Sequence, residues 1–349
     1  MKTIGIIGGG QLGRMLAMAA ARLNFRTVIL EPQPDSPAAQ AANAQIVAAY
    51  DDPHGLDELA RISDLITYEF ENVPVAAAER LAATRPVFPP PKALEVAQDR
   101  LVEKRFINGC GIATARFHAI DSQADLEAAL ADFDGAGVLK TRRLGYDGKG
   151  QRVFRSGEDD PSGAFAALGH VPLILESFVP FQREISIIAA RGPDGATACF
   201  DPAENVHRNG ILHTSTVPAS VTEATSEAAR KAATAILAAL GYVGVIGAEF
   251  FVLADGSVVV NEIAPRVHNS GHWTEAACVV SQFEQHIRAI AGLPLGDPSR
   301  HSDCVMQNLI GDDIGELSNL LAEPNVLVHL YGKAEARPGR KMGHFTRLT

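Results

Sequence analysis

Two hydrophobic periods alternate through the first 70 residues. Short runs of β-branched residues predict buried strands, and leucine and alanine at three- and four-residue spacing predict helices between them. The predicted elements are strands at 2–10, 27–31, 44–50 and 64–70, and helices at 12–23 and 53–62. Strands that alternate with helices favour a parallel, Rossmann-like sheet.

Three prolines at 89–91 end this alternation, because proline can continue neither a helix nor a central strand. We therefore predict an N-terminal domain over 1–92. A helix is predicted next, from Ala93 to about Asn108. Short helical and strand patterns at 113–180 then indicate a small α+β lid.

The strongest strand pattern lies at 247–273, where β-branched and aromatic residues flank the dipeptide Asp-Gly at 255–256. This dipeptide is typical of a two-residue hairpin turn, which would place Glu249 opposite Glu262. Facing residues have Cβ atoms about 5 Å apart and like charges there repel, so the pair favours a divalent cation. With a turn longer by one residue, one glutamate would instead point to water. The predicted face of the pair also carries Phe251, Leu253, Val258 and Val260.

The remaining patterns predict an alanine-rich helix at 223–240, a helix at 275–291 and a C-terminal hairpin at 327–348. The C-terminal segment is basic, with one acid, Glu335, against five cations. A local anion site and a solvated tail both fit this composition. The cations are Lys333, Arg337, Arg340, Lys341 and Arg347.

Composition narrows the function classes. With 349 residues, 46% hydrophobic and 21% charged, the chain predicts two or three globular domains. A net charge of −10 argues against general nucleic-acid binding. Neither an export signal nor a long apolar membrane segment is apparent, and the four cysteines form no C-x-x-C pair. We expect a cytoplasmic protein without disulfides or a zinc site.

The first turn satisfies G-x-G-x-x-G with Gly8, Gly10 and Gly13, and Glu31 ends the second strand where a ribose-binding acid would lie. The physical requirement is only that backbone amides at a helix N-terminus can approach a phosphate. A phosphorylated small ligand is the favoured interpretation. A dinucleotide and a purely structural turn remain alternatives.

Two further stretches carry candidate chemistry. Glu69 and Glu71 follow a strand, where they either bind ligand hydroxyls or are solvated. The stretch 140–151 is rich in glycine and cations but lacks the P-loop pattern. It either folds over phosphates as an anion nest or forms an exposed loop.

Several motifs together resemble the ATP-grasp family: Lys140, GYDGKGQ at 145–151, ESFV at 176–179, Glu184, Glu249 and NEIAPRVHNSGHW at 261–273. Further motifs at 8–15, 68–73, 204–213 and 331–344 resemble the members of that family that act on 5-aminoimidazole ribonucleotide. The resemblance spans the whole chain. One departure is Leu144, where relatives often carry a second glycine before the loop.

The resemblance implies an α/β and α+β ATP-grasp fold, with an ATP-grasp domain at 93–298 that includes the lid and a C-terminal domain at 299–349. It implies a ligase that joins bicarbonate to 5-aminoimidazole ribonucleotide in purine biosynthesis, with ATP as substrate and Mg²⁺ or Mn²⁺ as cofactor. A homodimer is also implied, without nucleic-acid or membrane partners. The alternatives are an ATP-grasp ligase for formate or another acid, a Rossmann dehydrogenase, and a nucleotide-binding module without turnover.

The resemblance also implies roles for individual residues. The nucleotide contacts would be Arg100, Lys140, Gly145, Tyr146, Asp147, Gly148, Lys149, Gly150, Gln151, Glu176, Ser177, Phe178, Val179, Glu184, His207, Asn261 and Glu262. Glu249 and Glu262 would hold the metal. The ribonucleotide would bind Gly10, Gln11, Leu12, Glu71, Lys333 and Arg340. The reacting groups would be surrounded by Tyr146, Asp147, Arg266, His268 and Asn269.

The chemistry of the implied reaction accounts for these residue types. Phosphorylated bicarbonate is carboxyphosphate, which either reacts directly with the amine or first releases CO₂. Arg266 has the bidentate geometry that suits such an anion. Asp147 and His268 both remain candidates to accept the amine proton.

Overall fold

The computed structural model describes residues 1–145, 150–156 and 159–349. The predicted Rossmann-like alternation at the N-terminus is confirmed. Its elements are β1 Thr3–Ile7, α1 Gln11–Arg22, β2 Arg26–Leu30, β3 Ala44–Ile46, α2 Pro53–Ile62, β4 Leu65–Tyr68 and α3 Val75–Ala82. The four strands are parallel in the order β3-β2-β1-β4. Ile4, Ile6 and Ile29 have no exposed surface, because helices cover both faces of the sheet.

The single helix predicted at 93–108 is wrong. Two helices occur instead, α4 Pro91–Ala97 and α5 Arg100–Gly109. Asp99 between them is extended, and its carboxylate accepts hydrogen bonds from the amides of Leu101 and Val102. Aspartate is a favoured N-cap residue, so it begins a new helix here. Arg100 is thereby the first residue of α5.

The lid has a four-stranded antiparallel sheet with a core of its own. Its elements are β5 Phe117–Ile120, α6 Gln123–Asp132, β6 Gly137–Thr141, β7 Gln151–Phe154, α7 Ala164–Ala167 and β8 Leu173–Glu176. The strand order is β5-β8-β6-β7. Buried Ile120, Leu126 and Leu139 belong to a cluster separate from the other cores.

The largest sheet has nine strands. Its elements and their helices are β9 Arg183–Arg191, β10 Thr197–Cys199, β11 Ala203–Arg208, β12 Ile211–Val217, α8 Glu223–Ala239, β13 Gly244–Val252, β14 Val258–Ala264, α9 Thr274–Ala277, α10 Gln282–Ile290, β15 Cys304–Ile310, α11 Leu317–Ala322, β16 Val326–Leu330 and β17 Lys341–Leu348. Short 3₁₀ turns lie at Asn269–Gly271 and Gly311–Glu316. The strand order is β14-β13-β9-β11-β12-β15-β17-β16, and β10 pairs with β9.

Because β15 pairs with β12, the C-terminal strands continue this sheet. The C-terminal hairpin is confirmed as the antiparallel pair β16 and β17. The domain limits 1–92, 93–298 and 299–349 stay predictions. The single helix predicted at 275–291 is wrong, because Ser281 caps a separate helix, α10.

The hairpin of β13 and β14 corrects one prediction and confirms another. Val252 pairs with Val258 and the amide of Leu253 donates to the carbonyl of Ser257 at 2.9 Å, so the loop holds three residues, 254–256. Gly256 has the positive φ of +82° that such a loop requires. A bulge at Asn261 then restores the register, and Glu249 does pair with Glu262. The predicted face is wrong for Val258 and Val260. Both pack with the core on the side opposite Glu249.

In the part of the chain that the structure describes, no helix has the length and apolar character needed to span a membrane. The four cysteines are free thiols.

Candidate active site

Two facing glutamates lie in the middle of the β13–β14 ladder. The side chain of Glu249 is 13% exposed and that of Glu262 is 39% exposed. Burial, together with the charge of Glu262, raises the pKa of Glu249 to about 7. Burial alone would also raise the pKa of Glu262, but Arg100 outweighs it and holds that pKa below its ordinary value. The two glutamates therefore differ in pKa, which is raised for Glu249 and lowered for Glu262.

The surroundings of Glu249 fit a divalent cation. His268 Nε2 lies 3.7 Å from Glu249 Oε1, but burial and the charge of Arg266 lower the pKa of His268 to about 3, so the ring is neutral. Two carboxylates are a common protein contribution to a Mg²⁺ site that phosphates complete. Among the described residues, no group of three or more His, Cys, Asp or Glu side chains could hold a metal. The donor set thus fits Mg²⁺ with bound phosphates.

Cations from α5 and the lid converge beside these glutamates. Arg100 Nη1 donates to Glu262 Oε2 at 3.0 Å, and its Nη2 donates to the carbonyl of Gly145 at 3.3 Å. Lys140 Nζ donates to Glu176 Oε2 at 3.0 Å, and burial lowers the pKa of Lys140. The structure thus brings together five of the residues predicted to contact nucleotide or metal: Arg100, Lys140, Gly145, Glu176 and Glu262.

A partly apolar surface continues from this cluster past the end of β8. Phe178 is 47% exposed, and Phe181 stacks on Phe251 with ring centroids 4.5 Å apart. His207 Nδ1 lies 2.9 Å from Glu184 Oε2, and this contact raises the pKa of His207. Exposed aromatic carbon beside polar groups suits a planar base. Ser177 and Val179 belong to the same segment.

The predicted loop is described only in part. Tyr146, Asp147, Gly148 and Lys149 lie outside the described residues. Gly150 has a φ of +70°, and its carbonyl accepts a hydrogen bond from the Thr141 amide at 2.9 Å. Gln151 pairs with Lys140 across β6 and β7.

Carboxylates of the chain itself occupy the amides of the glycine turn. The amide of Gly9 donates to Glu31 Oε2 at 2.9 Å, and the amide of Gly13 donates to Glu69 Oε2 at 2.6 Å. Gly10 also donates to Glu69. A phosphate would have to displace these carboxylates, so the observed turn supports neither the dinucleotide interpretation nor a phosphate on these amides. Gln11 and Leu12 follow in the first turn of α1.

Glu69 is buried and Glu71 is half-buried in an ion pair, so neither is a freely solvated acid. Arg266 Nε donates to Glu71 Oε2 at 2.6 Å. Burial would raise the pKa of Glu71, but Arg266 outweighs it and lowers that pKa to about 2. Glu69 is buried, and burial raises its pKa above the ordinary value. Glu69 is therefore part of the interior, and Glu71 is held beside it by Arg266.

Asn269 is already bonded within the chain. Its side-chain amide exchanges two hydrogen bonds with Asn308 of β15, at 2.9 and 2.7 Å. Next to it, His268 Nδ1 lies 2.9 Å from Ser270 Oγ. Asn269 is thus held in place by the neighbouring strand.

The C-terminal segment reaches α1 and the glycine turn. Gln40 Nε2 donates to the carbonyl of Gly332 at 3.1 Å, and Arg14 donates to Gln40 at 2.8 Å. The adjacent Lys333 donates to the carbonyl of Lys341 at 2.7 Å. Burial and the charge of Arg340 lower the pKa of Lys333 to about 8. Two segments from opposite ends of the sequence therefore lie next to each other.

Two members of the basic cluster form ion pairs with glutamates. Arg337 pairs with Glu335 and Arg347 with Glu323, both on the surface. Arg340 donates only a backbone contact in the described structure, to the carbonyl of Glu335 at 3.0 Å. Lys333 and Arg340 are thus better anion-binding candidates than Arg337 and Arg347.

Sequence reasoning missed three residues of the site. Glu103 and Lys104 lie one turn after Arg100 on α5 and are buried against β14. Their i+3 and i+4 spacing from Arg100 was a signal that they share its helix face. Gln98 bonds both the loop after β4 and Arg143 of the lid, which no local pattern indicates.

Family comparisons match nearly the whole chain in three consecutive segments. The preATP-grasp domain of ribonucleotide synthetases matches residues 1–98, and the ATP-grasp domain matches residues 105–283. The phosphoribosylaminoimidazole carboxylase C-terminal domain matches residues 304–349.

Two similar sequences carry the same name. An N5-carboxyaminoimidazole ribonucleotide synthase of Brucella melitensis is 64% identical over 347 residues, which cover 99% of this chain and 96% of that protein. The protein of the same name from Pseudomonas aeruginosa is 47% identical over 343 residues, which cover 98% of this chain and 93% of its own.

Solved structures agree. An ADP complex of N5-carboxyaminoimidazole ribonucleotide synthetase has a TM-score of 0.96 and 44% identity, and the match covers 100% of this chain and 92% of that one. The enzyme from Aspergillus clavatus in complex with ADP and 5-aminoimidazole ribonucleotide has a TM-score of 0.93 and 32% identity, with 100% and 94% covered.

Proposed function

Because the chain belongs to the ATP-grasp family and, within it, to the N5-carboxyaminoimidazole ribonucleotide synthases, we propose that it carboxylates 5-aminoimidazole ribonucleotide. It is an ATP-dependent ligase of purine biosynthesis that forms N5-carboxyaminoimidazole ribonucleotide, ADP and phosphate. The observation that carries the proposal is the facing pair Glu249 and Glu262, together with the C-terminal segment of Lys333, which contacts α1 beside the glycine turn. Bicarbonate is the proposed carbon donor.

The proposed metal is Mg²⁺, with Mn²⁺ as a substitute, held by Glu249 and Glu262. When bound, the ion would neutralise charge on the ATP phosphates during phosphoryl transfer. Arg100 supports the site from the side by orienting Glu262 through a charge-assisted hydrogen bond. Asn261 flanks the pair at the bulge.

The nucleotide would lie between the lid and the large sheet. Lys140 supplies positive charge toward the phosphates, and Glu176 orients its ammonium group. The base would pack on the segment 176–179, next to Phe178. Glu184 and His207 would form the polar end of the same pocket. The loop residues 145–151 are proposed to close over the phosphates.

At the reacting centre, Arg266 is the proposed anchor for carboxyphosphate. Its Nε is bonded to Glu71, which fixes the plane of the guanidinium group. A histidine with a pKa of about 3 is a weak proton acceptor near neutral pH, so His268 does not suit the role of general base. We therefore assign the amine proton to Asp147, with Tyr146 and Asn269 as further lining residues.

The ribonucleotide would lie at the other end, with its 5′-phosphate on Lys333 and Arg340. Lysine and arginine are the usual partners of such a dianion. The ribose would contact the turn at Gly10, Gln11 and Leu12, with Glu71 nearby. A homodimer and a cytoplasmic location stay predictions.

One assay tests this function. ADP release should require both bicarbonate and 5-aminoimidazole ribonucleotide, and it should fall when the unphosphorylated nucleoside replaces the ribonucleotide. Carbon-13 bicarbonate should appear in the N5-carboxy product by NMR. Full ADP release without the ribonucleotide, or turnover only with formate, would assign the chain to a different ATP-grasp reaction.

A further inference from the structure

Strand β14 carries Glu262 and lies at the edge of the nine-stranded sheet. Its one strand partner in the described sheet is β13. The outer edge of β14 packs against helix α5. An edge strand has a row of backbone N–H and C=O groups that need partners when they are buried. At this edge, the backbone of Ala113 accepts a hydrogen bond from the amide of Val260 at 2.9 Å, and side chains of α5 are the partners of Asn261 and Ile263.

Three residues at i, i+3 and i+4 on α5 contact three consecutive residues of β14. Arg100 donates to the side chain of Glu262 at 3.0 Å. Glu103 Oε1 accepts a hydrogen bond from the amide of Ile263 at 2.6 Å, and Lys104 Nζ donates to the carbonyl of Asn261 at 3.2 Å. Glu103 is 3% exposed and Lys104 is 2% exposed.

These contacts surround the bulge that orients Glu262. The three-residue loop of the hairpin sets a pairing that is one residue out of register for the two glutamates, and the bulge at Asn261 corrects it. Without the bulge, a one-residue slip would turn Glu262 to the opposite face. The two backbone bonds from α5 bracket Glu262, one on each side.

We propose that Glu103 and Lys104 are positioning residues for the metal and nucleotide site, which act by fixing the bulge in β14 and so directing Glu262 toward Glu249. This inference rests on the proposed function, because it assumes that the paired glutamates bind a metal with a nucleotide. Glu103 fixes the backbone after Glu262, and Lys104 fixes the backbone before it.

Lys104 also connects this edge to the lid. Its Nζ lies 3.4 Å from Glu176 Oε2, and Lys140 donates to the same oxygen. One ammonium group therefore contacts both the strand that carries Glu262 and the end of lid strand β8. Loss of Lys104 should disturb the metal ligand and the nucleotide pocket together.

The test compares Glu103→Ala, Glu103→Gln and Lys104→Met with Arg105→Ala, an exposed control on the same helix. The readouts are Mn²⁺ binding in the presence of ADP, by electron paramagnetic resonance, and the KM values for Mg-ATP and the ribonucleotide. Glu103→Ala and Lys104→Met should weaken Mn²⁺ binding about tenfold or more, because each leaves a buried backbone group unsatisfied. Arg105→Ala should bind Mn²⁺ like the wild type.

Rescue by the conservative variant separates positioning from simple destabilisation. Glutamine keeps a side-chain oxygen that can accept the Ile263 N–H, so Glu103→Gln should stay within about threefold of the wild type in Mn²⁺ affinity. The KM for the ribonucleotide should be nearly unchanged in every variant. Should Glu103→Ala fail to fold, Lys104→Met gives the decision in its place.

Two failures can be told apart. Wild-type Mn²⁺ affinity in a folded Glu103→Ala or Lys104→Met protein would overturn the positioning role, whatever the substrate is. Absence of ribonucleotide-dependent turnover in the wild type would instead contradict the proposed function.

Discussion

The two ends of the cleft handle charge differently. At the end proposed to bind the nucleotide, Glu249 and Glu262 face each other, and burial raises the pKa of Glu249 to about 7. At the end proposed to bind the ribonucleotide, Glu71 is bonded to Arg266, and the amides of the glycine turn are bonded to Glu31 and Glu69. A cation added to the first end relieves repulsion, whereas a ligand at the second end must replace bonds within the chain. We therefore expect the two ends to respond differently to mutation.

The largest expected effect comes from neutralising either facing glutamate. Glu249→Gln and Glu262→Gln should each lower turnover at least roughly 100-fold, which corresponds to about 2.7 kcal/mol of lost transition-state stabilisation. Steady-state ADP release measures this. Glu95→Gln, on the surface beside Lys92, is the matched control and should keep full activity.

The same two variants should change stability in opposite directions without metal at pH 8. Glu249→Gln removes a buried charge that faces a like charge, so its melting temperature should rise. Glu262→Gln leaves Arg100 without its carboxylate partner, so its melting temperature should fall. Equal shifts of the melting temperature in the two variants would contradict the difference in electrostatic environment between Glu249 and Glu262.

A phosphate contact at the other end should have a smaller and more selective effect. Arg340→Ala should raise the KM for the ribonucleotide roughly 10- to 100-fold, because charged hydrogen bonds contribute about 1.5–3 kcal/mol. The KM for ATP should stay nearly constant. Arg337→Ala, which removes a surface ion pair with Glu335, is the control. A rise in the KM for ATP instead would move Arg340 to the nucleotide end.

Metal binding should depend on pH through Glu249. A carboxyl with a pKa of about 7 is mostly protonated at pH 6 and mostly ionised at pH 8, and protons compete with the metal. Mn²⁺ affinity should therefore fall about tenfold from pH 8 to pH 6, and Glu249→Gln should lose most of this dependence. Titration by electron paramagnetic resonance measures both. A flat wild-type profile would contradict the raised pKa.

The smallest predicted effect concerns the link between the two ends. Gln98 donates to the carbonyls of Glu71 and Val73 at 2.9 and 2.6 Å and accepts from Arg143 of the lid at 2.7 Å. Arg143→Ala should raise the KM for the ribonucleotide about 2- to 10-fold, less than the full value of a charge-assisted hydrogen bond, because Gln98 acts only through the backbone of Glu71 and Val73. Arg152→Ala, whose bond to the Asp160 carbonyl stays within the lid, should leave that KM unchanged. Equal effects would remove Gln98 as a link.

Local sequence patterns determined the elements of the N-terminal sheet and the opposition of Glu249 and Glu262. Periods of two and 3.6 residues follow from backbone geometry, so a short stretch of sequence is enough to show them. Asp99 and Ser281 are N-cap residues that lie inside the single helices predicted at 93–108 and 275–291. Their residue types are typical of helix starts, so these two helix breaks are also local features of the sequence.

The predicted pairing of Glu249 with Glu262 is confirmed, although the two-residue turn on which the prediction rests is wrong. The three-residue loop shifts the register by one, and the bulge at Asn261 shifts it back. A two-residue turn predicts the same pairing by a different route. Whether a bulge forms depends on partners for its backbone groups, and these come from α5, about 160 positions away along the chain.

The sequence by itself determined which elements form and which motifs lie at their ends. Only the tertiary structure decided which charges meet: Glu69 on the glycine amides, Arg266 on Glu71, and Glu103 and Lys104 at the edge of β14. The hydrophobic periodicity of a segment shows which of its residues face solvent and which face the core, because this depends on neighbouring residues along the chain. Partners that lie 50 to 200 positions apart are selected by burial, where an unpaired charge or backbone group is too costly to keep.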